Sequence, residues 1–198
     1  MTALIRLAQE DDAIAIQAIY SPVVRDTAIS FERDPPSVDE IRRRITATLA
    51  TLPWLVCERA GEVIGYAYAG RHRKRAAYDW SVDASVYIHP AWHRCGVGRA
   101  LYTSLFAVLR LQHYYNVYAG ATLPNPGSVG LHEAMAFRPV GVYRGVGFKH
   151  GAWHDVIWWY LDLQPKTSPP LPLRALQEVQ SMPEWPGAIA AGQALLRA

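Results

Sequence analysis

The sequence predicts a mixed α/β domain built around one sheet. Three observations lead to this fold class. Strand-like and helix-like segments alternate over the first 163 residues, short turns join two pairs of strand-like runs, and one strand–helix–strand unit surrounds Gly96 and Gly98. Hairpins give antiparallel neighbours, whereas a strand–helix–strand unit gives a parallel pair. The predicted order is β-α-α-β-β-β-α-β-α-β-β, with helices flanking a mixed sheet.

The N-terminal part of the chain predicts one strand and two helices. LIRLA, residues 4–8, has the pattern of a strand, and the segment that follows begins with acidic residues, as helices often do. Its apolar residues lie at helical spacing: Ala13, Ile16, Ile19 and Tyr20. The second helix follows Ser37, which with Glu40 three residues later has the pattern of a capping box.

The remaining elements follow in order to Leu163. PWLVCERAGEVIGYAYAG predicts a hairpin that turns at Ala60-Gly61, and DWSVDASVYI predicts the next strand. The helix after the two glycines has one apolar face: Val97, Leu101, Leu105 and Val108. YNVYAGA predicts a short buried strand and PGSVGLHEAMAF a short helix. Two long strands that turn near His150-Gly151 complete the domain.

The composition is typical of one globular domain of ordinary size. Of the 198 residues, 51% are apolar and 19% charged, and the formal net charge is +3. So small a charge does not favour nucleic acid or a membrane surface as a partner, and no apolar run approaches the roughly 20 residues that span a bilayer. The N-terminus becomes acidic too early for a signal peptide, and two cysteines, Cys57 and Cys95, make no disulfide framework. We therefore expect a cytoplasmic protein that binds neither nucleic acid nor membrane.

The composition changes after Leu163. Six of the fourteen prolines lie in residues 164–198, which predicts a Pro-rich C-terminal extension with one or two short helices. We expect the domain to comprise residues 1–163. Because every candidate site residue precedes Leu163, we also expect the extension to be dispensable for the chemistry.

The two glycines indicate a close approach between the backbone and a phosphate. A P-loop would need Lys-Ser/Thr after the second glycine, where Arg99-Ala100 stands. A dinucleotide site would need a small residue three positions after Gly98 and an acid about 20 residues later, and no acid occurs from Ala84 through His132. The remaining alternatives are a pyrophosphate bound at the start of the helix and a tight turn that needs glycine only for its backbone angles.

The segment His93-Arg94-Cys95-Gly96-Val97-Gly98 resembles the acetyl-CoA loop of the GNAT N-acetyltransferases, whose pattern is Gln/Arg-x-x-Gly-x-Gly/Ala. Histidine stands at the Gln/Arg position here. AYDWSVDASVYIHPAWHR, TLPNPGSVGLHEAMAF and GFKHGAWHDVIWWYLDL resemble the phosphinothricin N-acetyltransferase subgroup, which includes enzymes that acetylate methionine sulfone and methionine sulfoximine. The resemblance covers residues 1–163 and implies a GNAT-like, mostly antiparallel sheet.

The resemblance implies that acetyl-CoA is the co-substrate and that no metal is needed. It assigns coenzyme contacts to ten residues: Val86, Tyr87, Ile88, Arg94, Cys95, Gly96, Val97, Gly98, Arg99 and Asn125. It also assigns catalysis to Asp83, at a position where the family has a glutamate that takes the ammonium proton, and to His132, where many relatives have a tyrosine that protonates the thiolate. A backbone N–H near Val86 would stabilise the oxyanion. From the residues alone, a solvated carboxylate and a packed helix histidine remain open alternatives.

The acceptor site is predicted from a basic run and two aromatic residues. RHRKR, residues 71–75, could recognise an anionic substrate, although a solvated loop is the plainer interpretation for most of its side chains. We place Arg75, Tyr78 and Phe31 in the acceptor site; Phe31 lies where the family has an aromatic residue beside the acceptor.

The function that these residues favour is acetyl transfer from acetyl-CoA to the α-amine of a small amino acid analogue of the phosphinothricin, methionine sulfoximine or methionine sulfone type. A protein N-terminal or lysine acetyltransferase and a non-catalytic coenzyme A-binding module are the alternatives. We also expect a homodimer.

Overall fold

The computed structural model describes residues 3–196, in which seven strands form one sheet. The strands are β1 (Leu4–Leu7), β2 (Trp54–Arg59), β3 (Glu62–Arg71), β4 (Ser81–Ile88), β5 (Asn116–Thr122), β6 (Arg138–Lys149) and β7 (Ala152–Asp162). Their order across the sheet is β1-β2-β3-β4-β5-β7-β6. Only the β4–β5 pair is parallel among these neighbours. The predicted element order and the mostly antiparallel sheet are confirmed.

Among the described residues, four α-helices belong to the predicted domain and two to the extension. They are α1 (Ala13–Asp26), α2 (Val38–Leu49), α3 (Val97–Leu111), α4 (Pro126–Ala134), α5 (Leu176–Gln180) and α6 (Trp185–Ala190). Helices α1 and α2 pack on one face of the sheet, where Trp54 and Tyr66 are buried among their apolar side chains. Helix α3 packs on the other face through three of the four apolar positions predicted from the sequence, Val97, Leu101 and Leu105. The fourth, Val108, is also fully buried but faces the C-terminal extension.

Local signals in the sequence account for several element boundaries. The β2–β3 hairpin turns at Ala60 and Gly61, whose φ angles of 54° and 83° suit a two-residue hairpin turn. Ser37 caps α2 by accepting a hydrogen bond from the Glu40 amide, as predicted. The second half of the capping box differs from the prediction, because the Glu40 carboxylate pairs with Arg43 and Arg44 instead.

The parallel strands β4 and β5 separate after only three residue pairs. Ser81, Val82 and Asp83 pair with residues 116–118, and beyond Asp83 the two strands continue without pairing. On its other side β4 stays paired with β3 as far as Ile88. The sheet therefore opens at its middle, and Asp83 stands where the opening begins.

The C-terminal extension packs on the domain. Leu176, Val179 and Ala188 are buried against Val108 of α3. The Gly192 amide donates a hydrogen bond to Ser104 Oγ at 3.0 Å. A Cβ atom at position 192 would overlap the Ala100 carbonyl, so the extension lies directly on α3. Among residues 3–196, no helix is long and apolar enough to cross a membrane.

Candidate active site

A cleft of about 760 Å³ occupies the opening between β4 and β5. It is bounded by the first turn of α3, by α4 and by residues 194–196 of the extension. Ten residues that the sequence analysis assigned to the site line it: Val86, Tyr87, Ile88, Arg94, Gly96, Val97, Gly98, Arg99, Asn125 and His132. The structure thus brings together segments of the sequence that lie more than 40 residues apart.

One edge of β4 faces this cleft. Beyond Asp83 the peptide groups on that edge do not pair with β5. The His89 amide bonds to the Ile64 carbonyl at 2.9 Å, and hydrogen-bonded pairs alternate along an antiparallel ladder. The register therefore directs the peptide groups of Tyr87 and Ser85 toward β3, and those of Val86 and Ala84 toward the opening. The Val86 N–H, predicted to stabilise an oxyanion, faces the cleft.

The start of α3 offers a second set of backbone donors. The Ala100 amide is the first to bond within the helix, to the Gly96 carbonyl at 2.9 Å. The amides of residues 97–99 therefore have no acceptor within the helix. Gly96 adopts φ 83°, which a side chain would strain. Exposed Arg94 and Arg99 add positive charge at a helix end that already favours anions.

Two residues of the segment 93–98, which we call the glycine loop, contribute to packing. A Cβ atom on Gly98 would lie 3.2 Å from a methyl group of Leu131, so glycine at this position allows α3 and α4 to approach closely. Cys95, assigned to the coenzyme, is half-buried against the core, and its Sγ lies 3.5 Å from the His93 carbonyl. Cys95 is not among the residues that line the cleft.

Asn125 caps helix α4 at the wall of the cleft. Its Oδ1 accepts a hydrogen bond from the Ser128 amide at 3.1 Å. This hydrogen bond fixes the start of α4 after the loop that follows β5. Gly127 and Ser128, in the first turn of α4, line the cleft.

His132 lies buried in α4 with both imidazole nitrogens directed at polar groups. Its Nδ1 donates to the Ser128 carbonyl at 2.7 Å, so Nε2 is the unprotonated nitrogen of the neutral ring. Tyr102 Oη lies 3.5 Å from Nε2 and also 3.5 Å from the Ala84 carbonyl. Burial lowers the pKa of His132, while the hydrogen bond to the Ser128 carbonyl acts in the opposite direction and raises it. The lowered pKa favours the neutral ring, in which Nε2 carries the free lone pair.

Asp83 lies at the start of the opening and makes a short contact that the sequence did not indicate. Its Oδ1 is 2.6 Å from His72 Nδ1. Asp83 alternates with Ala84 along β4, so its side chain lies on the face of Tyr87, opposite the face packed by α3. Burial raises the pKa of the Asp83 carboxyl, while His72 and Arg73 oppose that increase. A carboxylate of raised pKa is a better proton acceptor.

The predicted acceptor residues occupy two places. The ring of Tyr78 meets the edge of the His72 ring at 6.0 Å, which places it beside Asp83. Arg75 is exposed at the start of the same short helical turn. Phe31 lies over the β6–β7 hairpin, where a Cβ atom on Gly147 would overlap its ring. Ile29, two residues before Phe31, lines the cleft, so this loop borders the site.

The sequence analysis missed two parts of the site. His72 stood inside a basic run and gave no sign of its partner, because the contact depends on how the loop after β3 returns to β4. Ala194, Leu195 and Leu196 line the cleft, although the extension was expected to be dispensable. Within residues 3–196, no group of three or more His, Cys, Asp or Glu side chains could hold a metal ion.

Comparison with known proteins gives consistent matches. The sequence profile described as "Acetyltransferase (GNAT) domain" matches residues 5–158. Phosphinothricin N-acetyltransferase of Streptomyces viridochromogenes is 37% identical over 88% of this chain and 95% of its own length. The L-methionine sulfoximine/L-methionine sulfone acetyltransferase of Salmonella typhimurium is 32% identical over 83% of this chain and 97% of its own. A crystal structure of a GNAT superfamily phosphinothricin acetyltransferase from Sinorhizobium meliloti in complex with AcCoA superposes with a TM-score of 0.80, at 31% identity, over 89% of this chain and 99% of that one.

Proposed function

Because this chain belongs to the GNAT acetyltransferase family and is an N-acetyltransferase, we propose that it transfers the acetyl group of acetyl-CoA directly to the α-amine of a small amino acid analogue. Phosphinothricin, methionine sulfoximine and methionine sulfone are the acceptors that its relatives indicate. The observation that carries the proposal is the cleft at the opening of the sheet, which joins the free edge of β4 to the unpaired amides of α3.

The residues of the cleft fit acetyl-CoA. The α3 amides with Arg94 and Arg99 would hold its pyrophosphate, and the free edge of β4 would bind the amide groups of its pantetheine arm. Asn125 and the glycine loop would complete the walls. The coenzyme supplies an activated acetyl thioester. No metal is part of this proposal.

The proton steps are assigned to Asp83 and His132. Asp83, with its raised pKa, would take the proton of the acceptor ammonium, directly or through water. His132 would share the proton transfer with Asp83 on the α3 side of the sheet, where Tyr102 Oη lies 3.5 Å from its Nε2 and can donate a hydrogen bond either to that nitrogen or to the Ala84 carbonyl. The Val86 N–H would donate to the acetyl oxygen as negative charge develops there.

The acceptor is assigned to the Asp83 face. Tyr78 lies beside the His72–Asp83 pair, and Arg75 with the rest of residues 71–75 supplies positive charge for an anionic acceptor. Phe31 would form the opposite wall, next to Ile29. Concentrated charge beside the base favours a small anionic amine over a peptide acceptor.

A turnover screen tests the function. We expect acetyl-CoA-dependent acetylation of phosphinothricin, methionine sulfoximine or methionine sulfone, with slower or absent turnover of ordinary amino acids and peptides. Asp83→Asn keeps the shape but removes the base, so kcat/KM should fall by about 10²–10⁴-fold. Preferred turnover of peptides would favour the protein acetyltransferase alternative. Binding of acetyl-CoA without turnover of any amine would favour the non-catalytic module.

Three further assignments belong to the proposal. The catalytic domain is placed at residues 1–163, with residues 164–198 as an extension that contributes to the cleft wall. A cytoplasmic location is supported by the two unpaired cysteines, Cys57 and Cys95. A homodimer is supported by the outer edge of the sheet, where β6, among residues 3–196, has a neighbouring strand only on the β7 side and carries exposed Val140, Tyr143 and Phe148.

A further inference from the structure

We infer that His72 is a positioning residue of the acetyl transfer, acting through Asp83 by holding its carboxylate and setting its basicity. This inference rests on the proposed function, in which Asp83 is the base. It adds His72, from the loop between β3 and β4, to the proton-accepting site. This loop lies outside both residues 93–98 and the segment of α4 around His132.

The contact between the two residues is short and well supported. His72 Nδ1 lies 2.6 Å from Asp83 Oδ1, and the two side chains are 10% and 34% exposed. His72 is thus the more enclosed member, and the carboxylate is the member that reaches solvent. With Nδ1 donating to Oδ1, Oδ2 remains to accept the proton of the substrate ammonium.

Three neighbouring elements fix the His72 ring. It stacks on Tyr118 of β5, with ring centres 4.2 Å apart and planes 14° from parallel. The edges of its ring meet Tyr78 at 6.0 Å and Trp158 of β7 at 6.4 Å. A ring packed in this way cannot turn freely, so the donor at Nδ1 stays aimed at Asp83.

The hydrogen bond also determines how basic the carboxylate is. Burial raises the pKa of Asp83, and the His72 hydrogen bond and charge, together with the charge of Arg73, lower it. Burial raises the pKa of the phenols of Tyr68, Tyr87 and Tyr118 on the same face, so these three side chains are neutral at neutral pH. His72 is therefore the neighbour with the largest effect against burial.

The proton balance is simple. The ammonium proton moves to Asp83 Oδ2, and the neutral amine then forms the new N–C bond as the C–S bond of the thioester breaks. His72 keeps its Nδ1 proton throughout. The carboxylic acid afterwards returns its proton to solvent, which the partial exposure of Asp83 allows.

Two substitutions separate positioning from packing. His72→Phe keeps an aromatic ring against Tyr118 but removes the donor, and His72→Asn keeps an amide N–H close to the place of Nδ1. We expect His72→Phe to lower kcat/KM by about 10- to 100-fold, as a misplaced catalytic group does, and His72→Asn to recover most of the loss. The KM for acetyl-CoA should stay unchanged in both. His113→Asn, which replaces an imidazole that contacts the extension, is the matched control.

The pH profile gives the readout that a structural role would not change. Without the donor the Asp83 pKa rises, so the enzyme's own acidic limb of kcat/KM should move to higher pH in His72→Phe and less in His72→Asn. Comparing acceptor amines of different pKa separates this limb from that of the substrate. In the Asp83→Asn background, His72→Phe should have less than about a twofold effect, because the two changes act on one group.

A measurement without turnover keeps the inference distinct from the proposed function. The ¹³C carboxyl resonance of Asp83, assigned by its loss in Asp83→Asn, should titrate at higher pH in folded His72→Phe than in the parent protein. An unchanged Asp83 titration would overturn the inference whatever the turnover screen shows. So would equal effects of His72→Phe in the parent protein and in the Asp83→Asn variant. If the parent protein turns over no acceptor while the Asp83 titration still shifts in His72→Phe, the proposed function alone is contradicted.

Discussion

His132 shows how its surroundings limit what a titratable residue can do. Its ring stacks on Trp159 and meets Phe137 edge-on, and Nδ1 is bonded to the Ser128 carbonyl. Its proton is therefore on Nδ1, and the nitrogen nearest Tyr102 is an acceptor. The sequence left acid and base roles equally open for this residue, and the buried environment favours the base.

The lowered pKa of His132 predicts a pH-dependent contribution to stability. Between its folded pKa and the unfolded value near 6.5, the unfolded chain binds more protons, so stability rises with pH there. This contribution is fully present above pH 6.5 and is lost as the pH falls. We expect the parent protein to lose more unfolding free energy than His132→Phe between pH 7.5 and pH 5, measured by denaturant titration. Parallel losses in the two proteins would contradict the prediction.

Sequence reasoning reached Asp83 and His132 through motifs but could not reach the Asp83–His72 pair. Asp83 lies in a segment with the pattern of a strand, and the elements that precede and follow this strand along the chain can be predicted from local sequence. His72 approaches it from a loop, and a loop's path is set by tertiary contacts such as the stacking on Tyr118. Because residues 71–75 are all basic, their composition also did not indicate that one of them, His72, is partly enclosed while the others are exposed.

Among the elements, the C-terminal extension differs most from what its composition indicated. Proline-rich segments are usually extended and weakly packed. Here Leu176 and Val179 are buried against α3, and residues 194–196 line the cleft between β4 and β5. Short helices of five or six residues carry too little periodic pattern for the sequence to predict their packing.

Deleting residues 191–198 should weaken coenzyme binding. The deletion removes the Gly192–Ser104 hydrogen bond and the part of the cleft wall formed by Ala194, Leu195 and Leu196. We expect the dissociation constant for acetyl-CoA, measured by calorimetry, to rise several-fold while the protein stays folded.

A second variant in the extension serves as the control. Leu176→Ala lies under α3 and away from the cleft, so it should lower unfolding free energy by about 2–5 kcal/mol without changing acetyl-CoA affinity. If the deletion leaves affinity at the parent value, residues 191–198 are not part of the binding wall.

At the scale of the whole molecule, the order of elements along the chain was predictable because hairpin turns and helix caps are local. The spatial order of the strands was not, since β7 lies between β5 and β6 and only long-range pairing places it there. The separation of β4 from β5 was equally out of reach, because residues 84–88 have an ordinary strand pattern. The cleft follows from this tertiary feature.

The outer edge of the sheet predicts self-association. Strand β6 exposes Val140 at 62% and Phe148 at 59%, and Trp153 beside it is 69% exposed. Edge strands with apolar side chains are normally covered. We expect a dimer by analytical ultracentrifugation, and a dissociation constant at least tenfold higher in Val140→Lys/Phe148→Lys, because lysine on an edge opposes pairing.

The control for this prediction is an equally exposed apolar residue elsewhere. Ile14 of α1 is 63% exposed on a helix far along the chain from the edge strand, so Ile14→Lys should leave the dimer intact. A monomeric parent protein, or a double variant that associates as tightly as the parent, would count against the edge as the interface.

The free edge of β4 has a consequence for the protein's lifetime. Its outward peptide groups form no ladder with β5, so a bound molecule with amides of its own can take the place of a strand. A ligand that binds only the folded state stabilises it by RT ln(1 + [L]/Kd), which is about 2.7 kcal/mol when the free ligand concentration is one hundred times Kd. The unfolded fraction then falls about a hundredfold, and resistance to proteolysis becomes a measure of the metabolic supply of the coenzyme.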